Sequence, residues 1–210
     1  MLHLRKPSAA LTVSPSALVL LAAFLLLSRG LTLPAALLSA ALCHELAHVL
    51  TLHALHAPPR RLTLSATGAE LYVPDLHRLS YGGELLPAAA GPVSNLLLAA
   101  AMGLLGRWWE PLYLLAGTQA VLGCFNLLPI LPLDGGRMLW LALCWGTDPF
   151  LADRVAQAVS LAAAGLLTVA GAALARRSPF LLWTAAALLV CAAAPCIKRR
   201  RSVYASHKGR

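Results

Sequence analysis

The sequence predicts an all-α polytopic membrane protein of about six transmembrane helices, with a short β-hairpin-like membrane-associated loop and one Pro/Gly-broken segment. Three observations predict it. Apolar residues fill 59% of the 210 positions and charged residues 12%, against about 45–50% and about 25% in soluble globular chains. The apolar residues gather in runs, and a helix that crosses a hydrocarbon core needs about 20 of them. The Lys and Arg residues stand between and beyond those runs, as basic flanks of membrane helices do.

The runs fall at residues 9–28, 33–55, 85–105, 112–128, 155–175 and 180–197. Arg5 and Lys6 precede the first, as in a signal peptide, but no clear small-residue cleavage site follows and further apolar runs come at once. It reads as an uncleaved first crossing. Residues 138–145 are apolar but too few to cross, and read as a re-entrant or interfacial turn. With the N-terminus inside, Arg29, Arg107, Arg176 and Arg177 are the cations left outside, and all other Lys and Arg lie inside. That asymmetry puts both termini in the cytoplasm. Residues 1–197 then form one membrane-embedded domain and 198–210 a basic cytoplasmic tail. The longest polar connection, 57–84, starts as a ribbon, because apolar residues alternate through Leu62, Leu64 and Ala66, then Ala69, Leu71 and Val73, around a turn at Thr67-Gly68. It is either a solvated amphipathic loop or an edge strand that pairs with an extended substrate segment.

The net charge of +9 does not point to nucleic acid, since the cations flank apolar runs and no basic module with interleaved aromatics is present. The five cysteines include no CxxC pair and form no disulfide framework; Cys43 and the others read as packing residues.

His44-Glu45-Leu46-Ala47-His48 is an HExxH motif inside an apolar run. On a helix its two histidines lie one turn apart on one face, where both imidazoles can grip a single Zn²⁺. Glu45 stands beside them, placed to take a proton from a water that the metal has made acidic. Twelve residues past Leu33, Glu45 is about 18 Å along the helix. An ionisable group at that depth is costly and marks function unless it is paired. His53 and His56 fall on other faces and mark the helix end before Pro58-Pro59. A catalytic zinc takes three protein ligands and keeps a position open. Among the acids Asp134 stands out, because it closes Asn126-Leu-Leu-Pro-Ile-Leu-Pro-Leu-Asp-Gly-Gly-Arg137, where Pro129 and Pro132 forbid a regular helix. Broken backbone at membrane depth needs surrounding protein or a wet cavity. Asp134 is thus a third ligand or merely the cap of a short helix starting near Gly136.

The HELAH turn, Ala90-Gly-Pro-Val-Ser-Asn95 and the Asn126–Arg137 stretch together resemble the site-2 protease family of intramembrane zinc metalloproteases. The plan is similar to its compact branch typified by stage IV sporulation protein FB, without that branch's CBS domain or a PDZ insertion. The resemblance implies zinc held by His44, His48 and Asp134, with Glu45 as general base. It also implies that Asn95 and Asn126 shape the site and that the ribbon guides substrate. The expected function is cleavage of a transmembrane or membrane-proximal segment of a membrane protein within the bilayer, in a bacterial plasma membrane. A regulatory membrane partner or a homo-oligomer is compatible with it. The alternatives are an inactive relative serving as a membrane scaffold or chaperone, and a metal-handling transporter.

Overall fold

The computed structural model describes residues 10–15, 18, 22, 25, 30–65, 68–174 and 189. Their elements run β1 (Ala10–Val13), α1 (Thr32–Ala54), β2 (Arg61–Ser65), β3 (Gly68–Tyr72), a 3₁₀ turn (Pro74–Arg78), α2 (Tyr81–Leu105), α3 (Pro111–Asn126), α4 (Asp134–Gly146) and α5 (Pro149–Leu174). They belong to two compact units, one holding the sheet, α1, the C-terminal part of α2 and most of α3, the other the start of α2 with α4 and α5.

In the first unit, α1 buries Ala36, Ala40, His44, His48 and Leu52, a stripe of every fourth residue. Leu38, Leu42, Leu46 and Leu50 are exposed on its other faces, as expected of a helix with lipid on one side. The helix ends in a left-handed residue, His56 (φ 56°), with Ala57 N–H bonded to Leu52 O at 2.9 Å and His56 N–H to His53 O at 3.0 Å. This double bond pattern satisfies two orphan carbonyls, and Pro58-Pro59 cannot continue the helix. His56 thus ends the helix where the sequence expected it to.

The ribbon of the 57–84 connection is a true antiparallel pair, with Leu62 opposite Leu71, Thr63 opposite Glu70 and Ser65 opposite Gly68. A third strand joins it. β1 lies parallel to β2, from Ala10 opposite Arg61 to Val13 opposite Leu64, giving the order β1-β2-β3. The expected first crossing at 9–28 is corrected at its start: Ala10–Val13 are a strand, and the first helical residue is Pro15, where proline suits a first turn. The partner strand lies some fifty residues away, and pairing over that separation leaves no trace in local hydropathy.

Serine 80 caps α2, accepting the Gly83 N–H at 3.1 Å. The helix therefore begins at Tyr81, four residues ahead of the apolar run. In the second unit Asp148 accepts the Phe150 N–H at 2.9 Å and Pro149 fills the first position of α5. Residues 138–145 lie within a regular helix, α4, and not in a turn; at 13 residues it is about 20 Å long, too short to cross. Three helices, α1, α2 and α5, are long and apolar enough to span a bilayer. Six crossings are not reached among the described residues: α3 has 16 residues, and the expected span at 180–197, like the tail at 198–210, lies outside them save Leu189.

The Pro-rich turn before α4 satisfies its backbone within the second unit. Ile130 N–H bonds to Leu128 O and Leu133 N–H to Ile130 O, both at 2.7 Å. Leu131 N–H bonds to the Ser160 hydroxyl of α5 at 3.0 Å, and that hydroxyl donates to Pro129 O at 3.3 Å. The Leu131–Pro132 peptide is cis. Ile130 and Ala164 are fully buried at the centre of the contact. Gly135 and Gly136 must lack side chains, because a Cβ at Gly136 would stand 2.6 Å from Ile130 O and one at Gly135 would overlap the Leu127 carbonyl. Ser160→Ala leaves the part-buried Leu131 amide without its partner, and is expected to cost about 1–3 kcal/mol. Denaturant titration of the detergent-solubilised protein measures it, and an unchanged midpoint would refute the clamp.

Candidate metal centre

Helix α1 brings His44 and His48 onto its buried stripe, where they are 5% and 9% exposed. Their Nε2 atoms face each other at 3.1 Å, with the rings at 80° and their centroids 4.7 Å apart. Two imidazole nitrogens converging on one point is the arrangement that a shared cation requires. The other nitrogen of His44, Nδ1, lies 2.6 Å from Oδ1 of Asn95, which is fully buried on α2. An amide oxygen only accepts, so Nδ1 donates and the lone pair of His44 lies on Nε2, the atom that faces His48. A metal-binding histidine is typically oriented this way by a second group. The donors fit a borderline-soft cation such as zinc.

Gly91, one turn before Asn95, lets α2 pass directly against the pair. A Cβ there would stand 2.7 Å from His44 Nε2 and nearer still to His48 Nε2. Asn95 is held in turn. Its Nδ2 donates to Ala40 O of α1 at 3.2 Å and to the Gln119 side-chain oxygen of α3. Gly123, with a virtual Cβ 3.1 Å from Asn95 Cβ, allows α3 to approach.

The structure thus gathers the sequence-predicted His44, His48 and Asn95 into one buried cluster of the first unit, with Glu45 half-buried on the next face of α1. Asn126 closes α3, half-buried. Asp134 is the first residue of α4 in the second unit, one position after the cap residue Leu133. An acidic group in that first turn still meets the partly positive end of the helix. Sequence reasoning missed Gln119, which is 1% exposed. Its signal was an amide inside the apolar run 112–128, where a polar side chain needs a partner or a task.

Residues 61–170 match the model of peptidase family M50. The chain belongs to that family. The match begins after the HELAH turn, so it takes in Asn95 and the Asp134 stretch but not the two histidines, whose geometry is separate support. The chain is 32% identical over 124 residues to Rip3 of Mycobacterium tuberculosis, a zinc metalloprotease by name; the match covers 49% of this chain and 28% of that protein. The chain therefore spans well under half of that relative's length. Its fold is similar to the site-2 protease from Methanocaldococcus jannaschii, with a TM-score of 0.66 and 20% identity over 87% of this chain and 88% of the other. Family and apolar helices together make this M50 member an integral membrane protein.

Gly91→Ala is expected to force the imidazoles apart and to weaken zinc binding at least about tenfold, as loss of a supporting group does. Gly117→Ala, with open space around its Cβ, is the matched control and should bind as the wild type does. Competition with a zinc-chelating dye reads both; equal affinities in the two variants would refute the packing role of Gly91.

Proposed function

We propose that the protein is an intramembrane zinc metalloendopeptidase that cuts a transmembrane or membrane-proximal segment of a membrane-protein substrate. The observation that carries this reading is the buried histidine pair with converging Nε2 atoms, one ring already oriented through its far nitrogen by Asn95. The zinc ligands of this reading are His44, His48 and Asp134, the last chosen for its hard oxygen donor at the end of the broken segment and for the family's motif. When bound, zinc supplies a Lewis acid that makes water nucleophilic near neutral pH and polarises a carbonyl.

The rest of the chemistry falls to the chain. Glu45, beside the pair on α1, takes the proton of the attacking water and returns it to the leaving amine. A peptide in a helix hides its carbonyls, so the substrate unwinds before cleavage. Among the described residues the outer edge of β3 carries no strand partner. An extended substrate stretch adds there by main-chain hydrogen bonds, with Tyr72 exposed alongside. Asn126 shapes the site in this reading. The setting proposed is a bacterial plasma membrane with both termini cytoplasmic, in keeping with the basic tail.

Glu45→Gln is expected to lower cleavage of a reconstituted transmembrane substrate by about 10²–10⁴-fold while one zinc per chain stays bound. Retained turnover would remove Glu45 from the mechanism. Asp134→Ala should lose or greatly weaken zinc, measured by metal analysis after gel filtration. Undiminished zinc in that variant would move the third ligand elsewhere. A chelator should abolish cleavage and added zinc restore it. Zinc-loaded wild type that transports metal in proteoliposomes and cuts no substrate would favour the transporter.

A further inference from the structure

Gln119 takes no part in the steps above, yet it is more deeply buried than either histidine. We propose that Gln119 is a positioning residue: by pinning the amide of Asn95 it fixes which nitrogen of His44 carries the proton, and so keeps His44 Nε2 ready for a cation. The last clause rests on the metalloprotease reading; the tautomer itself does not.

The assignment follows from which atoms can donate. An amide nitrogen carries two hydrogens and an amide oxygen carries none. Asn95 Nδ2 faces two acceptors, Ala40 O and Gln119 Oε1. If the Asn95 amide were flipped, its oxygen would oppose the Ala40 carbonyl, and the Gln119 amide would have to turn over with it. The amide therefore stands with Oδ1 towards His44, 2.6 Å from Nδ1. Nδ1 must hold the proton, and Nε2, facing His48, must not. Both amide side chains are at most 1% exposed, so water is not at hand there to replace a lost partner, and an unpaired amide hydrogen is costly. Ala40 O alone occupies one hydrogen of Asn95. Gln119 occupies the second, and without it the orientation of the amide rests on the Ala40 carbonyl. Such a relay acts through Asn95 and touches no reacting atom.

The test reads the tautomer directly. Full-length protein with ¹⁵N-labelled imidazoles is purified in detergent without metal and held at about pH 8.5, above the imidazole range. The wild type should show His44 with its proton on Nδ1, read from the shifts of its two ring nitrogens. A wild type protonated on Nε2 overturns the proposal without any variant. Gln119→Met keeps the length of the side chain and removes the acceptor; it should give a mixture of both tautomers and weaken zinc binding by about 10–100-fold. Gln119→Glu keeps an accepting oxygen in either protonation state and should restore both readings. Thr118→Val, which removes a neighbouring buried hydroxyl bonded to Leu115 O, should leave both unchanged. A single Nδ1 tautomer with wild-type affinity in Gln119→Met overturns the proposal, and so does an equal effect in Thr118→Val. A shifted tautomer in a protein that takes up no zinc would uphold the relay and sink the metalloprotease reading instead.

Discussion

The polar core of the candidate site is organised around one hydrogen bond, from His44 Nδ1–H to Asn95 Oδ1. It decides that His44 presents an electron pair at Nε2, and it ties α1 to α2 at the depth of the HELAH turn. In a low-dielectric interior such a bond is strong, and for the same reason every polar atom around it must be satisfied. That need spreads outward from Asn95 to Ala40 O and Gln119, and so to α3. Three helices of the first unit are locked by side chains that would be a liability if any one lacked its partner.

Close approach is the second constraint. Gly91 and Gly123 lie where a methyl group would strike the histidines or Asn95, and Ala36 and Ala40 fill the stripe above them. Helices in a membrane gain little from hydrophobic association and pack through small residues and interhelical hydrogen bonds. Here both are spent on one site. The second unit solves a different problem, an irregular backbone in an apolar setting. The Pro129–Pro132 turn pairs its amides internally except at Leu131, where Ser160 from α5 completes the set. The aspartate that follows is thereby carried on a fixed stem and starts α4.

Much of the site was legible because its chemistry is written in local spacing. His44 and His48 at i and i+4 had to share a helix face, and they do. Asn95 was reached only through the resemblance of the Ala90–Asn95 stretch, and the structure supplies its reason in the bond to His44. The ribbon at 61–72 followed from alternation. Helix α4 was mistaken for a turn, because eight apolar residues look too few until Asp134-Gly135-Gly136-Arg137 are seen to be helical as well. The buried face of α1 was not legible from hydropathy, since leucines cover both of its sides and only the small residues and histidines mark the inner one.

By itself, then, the sequence determined the membrane character, the helical HExxH turn with both histidines on one face, and the break in regular helix at Pro129 and Pro132. Each of these is a matter of composition or of neighbours within a few residues, and local sterics and solvation decide it. Only the tertiary structure decided that Ala10–Val13 is a strand, that Ser160 holds the Leu131 amide and that Gln119 stands behind Asn95. Those partners lie 24 to 51 residues apart along the chain. Their pairing is set by which backbone and amide hydrogens remain to be satisfied once the helices have packed, and no local pattern carries that information.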